Sequence, residues 1–535
     1  MEIEIEKIIS GNVDVVQESL NSFIKNNATV FTFNELNQDL RKDLWKALFT
    51  YVGDDSKSYL HSSSLTAIRI LSREKKGLEQ LITAEYLDLL LQRGNLKCEH
   101  YENENYSVIV EALKCLCNII YQSHVAATLS STNGSLEGIM NRSKKYKNLP
   151  NDVKMFDMKL LFLITALCRE TRAKVKGELH GLTYLIEILE DTLESESHNS
   201  DVSCKLSDQA TDLVCELLKV LFNLTIHADS WVNLDEEDEA HYVKLVGILY
   251  KFLTIQTENV DKRLELHSQI VNLLTNMPNK CYLSLFVPVQ DDVVPKDMQY
   301  EEQNMNAIME LFNFLESRFK IEVTIQNQQE LLSPILIVLL KSVNSSRIIR
   351  RYLRLKILPP LKDVHNRPEQ GSTLRNSLCR LLTTPITNVR DLVADLLFIL
   401  CKENVGRMIK YTGYGNAAGL FAQRGLLGGG KPAEGRYSSD SEDSDTEEYR
   451  EYKHGINPVT GCYDPSRPSP TMNMTEEQKE YEAMQLVNLM DNLTRQGIVQ
   501  PCRIGEDGRP QPIEHVFQLQ ESLLTDQPTN IHESK

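Results

Sequence analysis

The chain has 535 residues, of which 41% are apolar, 25% charged and 7% aromatic, a profile that excludes both a largely disordered chain and one single compact core. Its 75 acidic and 58 basic side chains give a formal net charge of −17, which repels phosphate backbones and argues against nucleic acid or an acidic lipid leaflet as partner. The 11 cysteines form no C-x-x-C, so reduced thiols of a cytosolic protein are expected rather than a disulfide scaffold or a zinc clamp.

The opening Met-Glu-Ile-Glu-Ile-Glu-Lys does not read as a signal peptide, and no apolar run reaches membrane-spanning length. Val13, Val16, Leu20 and Phe23, then Leu40, Leu44, Leu48 and Phe49, recur at helical spacing. Ser64–Arg73 is an apolar helix carrying Arg69 and Arg73 one turn apart. The run Glu111-Ala-Leu-Lys-Cys-Leu-Cys-Asn-Ile-Ile has a near copy at Glu216-Leu-Leu-Lys-Val-Leu-Phe-Asn-Leu-Thr. Each puts Lys and Asn on one face, as Lys114/Asn118 and Lys219/Asn223, on a helix otherwise apolar nearly all round. Such a helix must lie between other helices.

Phe156–Leu167 and Val271–Pro278 continue the pattern, the latter with Asn272 and Asn276 one turn apart. Aligned on Ser72, Asn118, Thr165, Asn223 and Asn276, the helices recur at 46, 47, 58 and 53 residues by subtraction of positions. Armadillo and HEAT units repeat at about 40–47 residues. The longer gaps hold polar insertions at 190–209 and 235–239. Strand signals are nearly absent, so the fold is expected to be all-α: an armadillo/HEAT-like helical-repeat superhelix. A ladder of Asn side chains either joins neighbouring turns inside the stack or lines a concave face that grips a partner's main chain. Its repetition at one helical position favours the second reading.

Residues 287–303 read as a polar linker with Pro288 and Pro295. Helices resume at 306–319 and at 331–343, where Pro334 is tolerable in a first turn. Arg347, Arg350, Arg351, Arg354, Lys356 and Lys362 form a basic cluster that is either a solvated helix face or a dock for an acidic partner. Asp391–Cys401 is the last strongly apolar helix. The division expected is a solenoid over 1–403, a glycine-rich segment over 404–436, an acidic and Pro-rich linker over 437–472, a helix over 473–497 and an unstructured tail over 498–535. Thr475 is a plausible N-cap for the tail helix, and Met484, Leu486, Val487, Leu489 and Met490 form its apolar side. In the acidic run, Ser439 and Ser444 each have Glu three residues on, as an acid-directed kinase requires.

No catalytic constellation emerges. Gly425-Leu-Leu-Gly-Gly-Gly-Lys431 has the spacing of a phosphate loop, but Pro432 stands where Ser or Thr must hold magnesium, and no strand precedes it. Gly413-Tyr-Gly415 fails as a dinucleotide turn. His180, His227 and His267 are isolated, and no cofactor or metal is expected.

Lys410-Tyr-Thr-Gly-Tyr-Gly-Asn-Ala-Ala-Gly-Leu420 with Arg424-Gly-Leu-Leu427 resembles the signature of the synembryn family. Ile68–Arg73, Glu111–Asn118, Leu358–Asp363 and Met474–Lys479 are similar to further family blocks, in order, so that the resemblance covers nearly the whole chain. It implies a non-enzymatic chaperone and guanine-nucleotide exchange factor. Its partners would be heterotrimeric G-protein α subunits, GDP-bound or nucleotide-free and without βγ. It implies that a concave face with Arg69, Arg73, Lys114, Asn118 and Asn223 holds the C-terminal helix of the α subunit; the Asn spacing adds Asn276. It implies phosphorylation of Ser439 and Ser444, a cytoplasmic protein recruited to the cortex or plasma membrane, and a monomer. The rival is an armadillo-type peptide or cargo adaptor without exchange activity. A nuclear-signal receptor of that kind should place Trp and Asn regularly along its groove, and this chain has only Trp45 and Trp231.

Overall fold

The structure is a computed structural model, describing residues 2–10, 13–33, 36–97, 105–198, 205–226, 236–289, 294–321, 324–428, 445–464, 471 and 474–513. The chain divides into two compact units, Met1–Val287 and Pro288–Lys535. Both are helical; the strands among the described residues are two or three residues long. No helix among these residues is long and apolar enough to cross a membrane.

The first unit holds α1 (Glu2–Ile9), α2 (Val13–Asn27), α3 (Gln38–Gly53), α4 (His61–Leu71), α5 (Ala84–Arg93), α6 (Tyr106–Gln122), α7 (His124–Ser130), α8 (Ser135–Ser143), α9 (Asn151–Leu167), α10 (Thr171–Lys176), α11 (Gly181–His198), α12 (Asp208–Thr225), α13 (Glu236–Thr254) and α14 (Val260–Thr275). The sequence-aligned helices α4, α6, α9, α12 and α14 form one row, each packed on the next. Between successive members lie shorter or outer helices: α7 and α8 before α9, α10 and α11 before α12. A short helix, a second helix and an inner helix are the armadillo-type repeat, so the all-α helical-repeat expectation is met.

The row is apolar because it is covered on both sides. On α6, Ala112, Leu113, Cys115, Leu116, Ile119 and Ile120 are buried, while Glu111, Lys114 and Asn118 recur on the one stripe that is not. Cys115 donates to Leu65 O on α4 at 3.1 Å and Cys117 leans toward Phe156 O on α9 at 3.9 Å, so the two thiols face opposite neighbours. Arginines fasten the repeat ends. Arg41 donates to Leu71 O and Glu74 O, each at 3.0 Å, and Arg93 to Val52 O at 2.8 Å. Arg142, 1% exposed, donates to Gly94 O at 2.6 Å and pairs with Asp157, which also accepts from Tyr146. Loop carbonyls that no helix can satisfy thus find donors on the neighbouring repeat.

The second unit holds α15 (Asn306–Lys320), α16 (Gln328–Ser345), α17 (Arg347–Ile357), α18 (Leu374–Leu381), α19 (Thr387–Leu400), α20 (Val405–Thr412), α21 (Tyr414–Arg424), α22 (Glu447–Tyr452) and α23 (Glu476–Arg495). α16 stacks on α19 as the row helices do. Pro334 is not in a first turn: α16 begins at Gln328, so the proline lies inside the helix and leaves the Glu330 carbonyl without its i+4 donor. The described part of the glycine-rich segment, 404–428, is largely helical, as α20 and α21. The supposed linker after it carries α22 and a hairpin of Ile456–Asn457 with Cys462–Tyr463. The stretch after 497 is not featureless either. Cys502–Ile504 pairs with Pro510–Pro512, and this hairpin sits so close to the end of α21 that a Cβ on Gly508 would fall 2.0 Å from Gly425 O. Ser439, Ser444 and Lys431 lie outside the described residues, as do His227 and residues 514–535.

Candidate partner-binding face

The open stripe of the row begins at α4. Arg69 donates Nε to Glu111 Oε2 on α6 at 2.9 Å, and Thr66 donates to the same oxygen at 3.3 Å. Lys114 reaches the other oxygen, Oε1, at 2.8 Å. Burial pushes the Glu111 carboxyl up, but Lys114 and Arg69 outweigh it and hold it below the usual carboxylate range. The pattern repeats on α12, where Lys219 pairs with Glu216 at 2.9 Å. The repeated motif is therefore Glu-x-x-Lys-x-x-x-Asn; the glutamate stands in both runs, and the one-turn spacing of Lys and Asn does not by itself reveal it. Lys114 also lies 5.3 Å from the centre of the Phe156 ring on α9. Arg73 turns away from α6. It donates to Ala28 O at 2.8 Å and Val30 O at 3.2 Å and covers the ring of Phe31, itself 66% exposed. Burial and then the neighbouring Arg69 charge lower the Arg73 pKa.

The asparagines bond within the stack. Asn118 donates Nδ2 to Arg69 O at 3.3 Å. Asn223 donates to Phe162 O at 3.2 Å and to Thr165 Oγ1 at 3.1 Å. Asn276 repeats this with Phe222 O at 3.0 Å and Thr225 Oγ1 at 3.2 Å. In each threonine the hydroxyl donates to its own helix, Thr165 to Leu161 O and Thr225 to Leu221 O, both at 2.8 Å, and so presents a lone pair to the amide. Asn276 meets Thr225, two residues beyond Asn223, so the register slides by two between these helices. Asn223 is buried, whereas Asn118 and Asn276 are half-buried. The amide nitrogens thus hold helix to helix, and the half-buried pair remains open to a second molecule.

The basic cluster on α17 does not form one face. Arg354 is 5% exposed and points at Tyr411, donating to its hydroxyl at 3.3 Å. Arg351 pairs with Glu301 at 2.8 Å, and Arg350 donates to Val343 O at 3.2 Å. Arg347 is exposed, and Lys356 lies 5.5 Å from the Tyr352 ring centre. The tail helix α23 starts at a capping box between Thr475 and Gln478. None of its residues is buried; Tyr481, Met484, Leu486 and Leu489 are 64%, 66%, 61% and 54% exposed.

Residues 410–420 have a structural task. Gly413 (φ +75°) turns α20 into α21, and the first amides of α21 take carbonyls from a distant loop: Tyr414 N to Pro458 O at 2.8 Å and Gly415 N to Val459 O at 2.9 Å. Lys410 pairs with Asp445 at 2.6 Å, and Thr446, the N-cap of α22, donates to Leu361 O. His267, on α14, is buried, and burial and then Arg263 push its pKa down to about 4. Among the described residues no three His, Cys, Asp or Glu side chains are gathered to hold a metal.

Comparison with known proteins adds the family. The model of "Guanine nucleotide exchange factor synembryn" (Ric8) matches residues 64–509. Chaperone Ric-8 of Drosophila pseudoobscura pseudoobscura is 40% identical over 566 aligned residues, covering 98% of each chain. Chaperone Ric-8A is 41% identical in Gallus gallus, with 95% of each chain covered, and 41% identical in Xenopus tropicalis, with 96% covered. Among solved structures, a chain from the structure described as a conserved phosphorylation switch controlling the interaction between cadherin and β-catenin matches at 10% identity and a TM-score of 0.45, over 80% of this chain and 69% of that one. A designed armadillo repeat protein in complex with the peptide (KR)4 matches at 14% identity and a TM-score of 0.36, over 51% of this chain and 98% of that one. By the extent of the family match and the identity of these relatives, the chain belongs to the synembryn family of guanine nucleotide exchange factors.

Proposed function

We propose that this chain is a chaperone and exchange factor for heterotrimeric G-protein α subunits, gripping the C-terminal helix of the nucleotide-free form on the open stripe of α4, α6, α9, α12 and α14. The observation that carries this reading is the stripe itself. Arg69, Glu111, Lys114 and Asn118 lie half-buried on adjacent stacked helices, with Lys219 and Asn276 further along the same row. A half-buried polar stripe between apolar helices suits an amphipathic helix as guest. Arg73, beside Phe31 at the edge, and Asn223, deeper in the stack, support it. No covalent step is involved: a protein that binds the empty state more tightly than the GDP state expels GDP.

Two finer parts belong to the same proposal. The exposed apolar side of α23 takes hold of the loosened GTPase domain. Phosphate placed on Ser439 and Ser444 by an acid-directed kinase raises affinity by docking on basic residues of α17 such as Arg347 and Lys356 and so ordering the segment that leads to it. The protein acts as a cytoplasmic monomer on α subunits without βγ.

The test is GDP release from purified α subunits of each class, with and without the full chain. Acceleration on at least one class is expected, and it should fall when Asn118 and Lys114 are replaced together by Ala. GDP left undisturbed on every class overturns the reading. Equal affinity of the phosphorylated chain and of a Ser439→Ala/Ser444→Ala chain overturns the role of the phosphates.

A further inference from the structure

Where α9 ends at Leu167 and α10 begins at Thr171, the chain carries Arg169 and Arg172. Arg172 donates Nε to Thr165 O at 2.7 Å. Thr165 is the residue whose hydroxyl receives the Asn223 amide, so the guanidinium is fixed at the C-terminal end of α9, in the middle of the row and beside the asparagine ladder. Helix capping accounts for that Nε alone. It leaves the two terminal nitrogens of Arg172 and the whole of Arg169, which is exposed. Among the described residues neither arginine has a carboxylate partner, and Glu170 between them forms no ion pair with either. Burial and then the Arg169 charge lower the Arg172 pKa, as expected of two cations with no anion between them.

Their neighbours are treated differently. Arg69 and Lys114 share Glu111, Lys219 takes Glu216, Lys176 takes Asp238 at 2.6 Å, and Lys174 takes Glu137 at 2.5 Å. Among the described residues each of these cations has a carboxylate partner and this pair has none. Exposed apolar side chains stand at the C-terminal ends of the two adjacent row helices α9 and α12, Leu167 at 44% and Ile226 at 40% exposure. A bare guanidinium pair next to apolar surface matches the end of an amphipathic helix that bears a carboxylate.

We infer that Arg169 and Arg172 are a carboxylate-binding pair at the edge of the partner-binding face, receiving a carboxylate near the C-terminus of the bound helix. This rests on the proposed function and names the chemistry its face reads at one end. The carboxylate is the terminal one or that of an Asp or Glu side chain, and the test separates them.

Peptides spanning the C-terminal helix of an α subunit are titrated against the full chain by fluorescence anisotropy in three forms: free acid, C-terminal amide, and free acid with Asp and Glu replaced by Asn and Gln. Arg169→Gln/Arg172→Gln is expected to weaken the free acid about tenfold, the size of one charge-assisted pair. It should bind one of the two neutralised peptides as well as wild type does, and that peptide identifies the carboxylate. Arg169→Gln alone removes an exposed side chain that has no ion-pair partner among the described residues, and an unchanged melting temperature for it separates its share of the loss from folding. Equal binding of the free acid by wild type and the double variant overturns the inference, and so does an equal loss across all three peptides. If wild type binds no form of any α-subunit peptide, the proposed function falls and the inference with it.

Discussion

Asn118, Asn223 and Asn276 each donate to the preceding helix of the row, but not from one environment. Asn223 is 5% exposed and makes two bonds across the stack, whereas Asn118 is half-buried and makes one at 3.3 Å. Removing a buried donor strands its acceptors, at about 1–3 kcal/mol. Asn223→Ala is therefore expected to lower unfolding free energy by that amount in urea denaturation. Asn118→Ala should cost under about 0.5 kcal/mol, as open positions do, while weakening α-subunit binding. Similar stability losses for both would show that the ladder is structural throughout. His267 makes a second residue-scale prediction. Its folded pKa of about 4 lies below the 6.5 of an unfolded histidine, so the unfolded chain binds the extra proton first. Stability is then full above pH 6.5, falls as pH drops toward 4, and levels off below it. The whole effect is on the order of 3 kcal/mol for one histidine. His267→Gln should flatten that part of the stability–pH curve measured by chemical denaturation between pH 4 and 7; an unchanged slope would assign the dependence elsewhere.

At the scale of elements, the helices were legible wherever one stripe or a whole circumference is apolar, because the 3.6-residue period needs no knowledge of neighbours. The docking of 445–464 was not. Its anchors are main-chain bonds from Tyr414 and Gly415 to Pro458 and Val459, and a backbone carbonyl leaves no trace in the residue type that carries it. The same blindness made α17 look like a uniform basic face, since burial of Arg354 against Tyr411 depends on α20, more than 50 residues on. The glycines of the family signature did mark the place. A Cβ on Gly413 would meet Val459 O and Thr460 O at 3.2 Å, in a backbone region with φ +75° and ψ 148° that only glycine adopts freely. Gly413→Ala should cost about 1–3 kcal/mol and release the loop at 455–464 to protease before the rest of the second unit unfolds. Cleavage there at the wild-type rate would contradict this account of the signature. α23 gives the opposite expectation. No residue of α23 is buried and Leu486 and Leu489 are more than half exposed, so Leu486→Glu/Leu489→Glu should leave the melting temperature within about a degree while reducing α-subunit affinity. A fall in melting temperature of several degrees would mean the helix is already packed within the chain.

For the molecule as a whole, a stack in which each helix touches mainly its neighbours has a consequence for where damage spreads. Leu161 lies on α9, between α6 and α12, and Leu20 on α2, near the amino end; both are fully buried. Each change to Ala should cost about 2–5 kcal/mol. Leu20→Ala should open only the first helices, and Leu161→Ala both halves of the row, as read from the spread of lost hydrogen-exchange protection. The larger linkage concerns the partner. Under the proposed function this chain and GDP bind one α subunit with a coupling free energy between them, and that coupling is reciprocal. If the chain weakens GDP binding by some factor, saturating GDP must weaken binding of the chain by the same factor, and GTP by its own. The two factors are obtained independently, one from nucleotide affinity at saturating chain and one from chain affinity at saturating nucleotide. Equality within error is required of an exchange factor that acts by binding alone. A chain that lowers GDP affinity while its own affinity ignores GDP would break thermodynamic closure for a two-ligand scheme, and a third species, a folding intermediate of the α subunit, would have to be the state it holds.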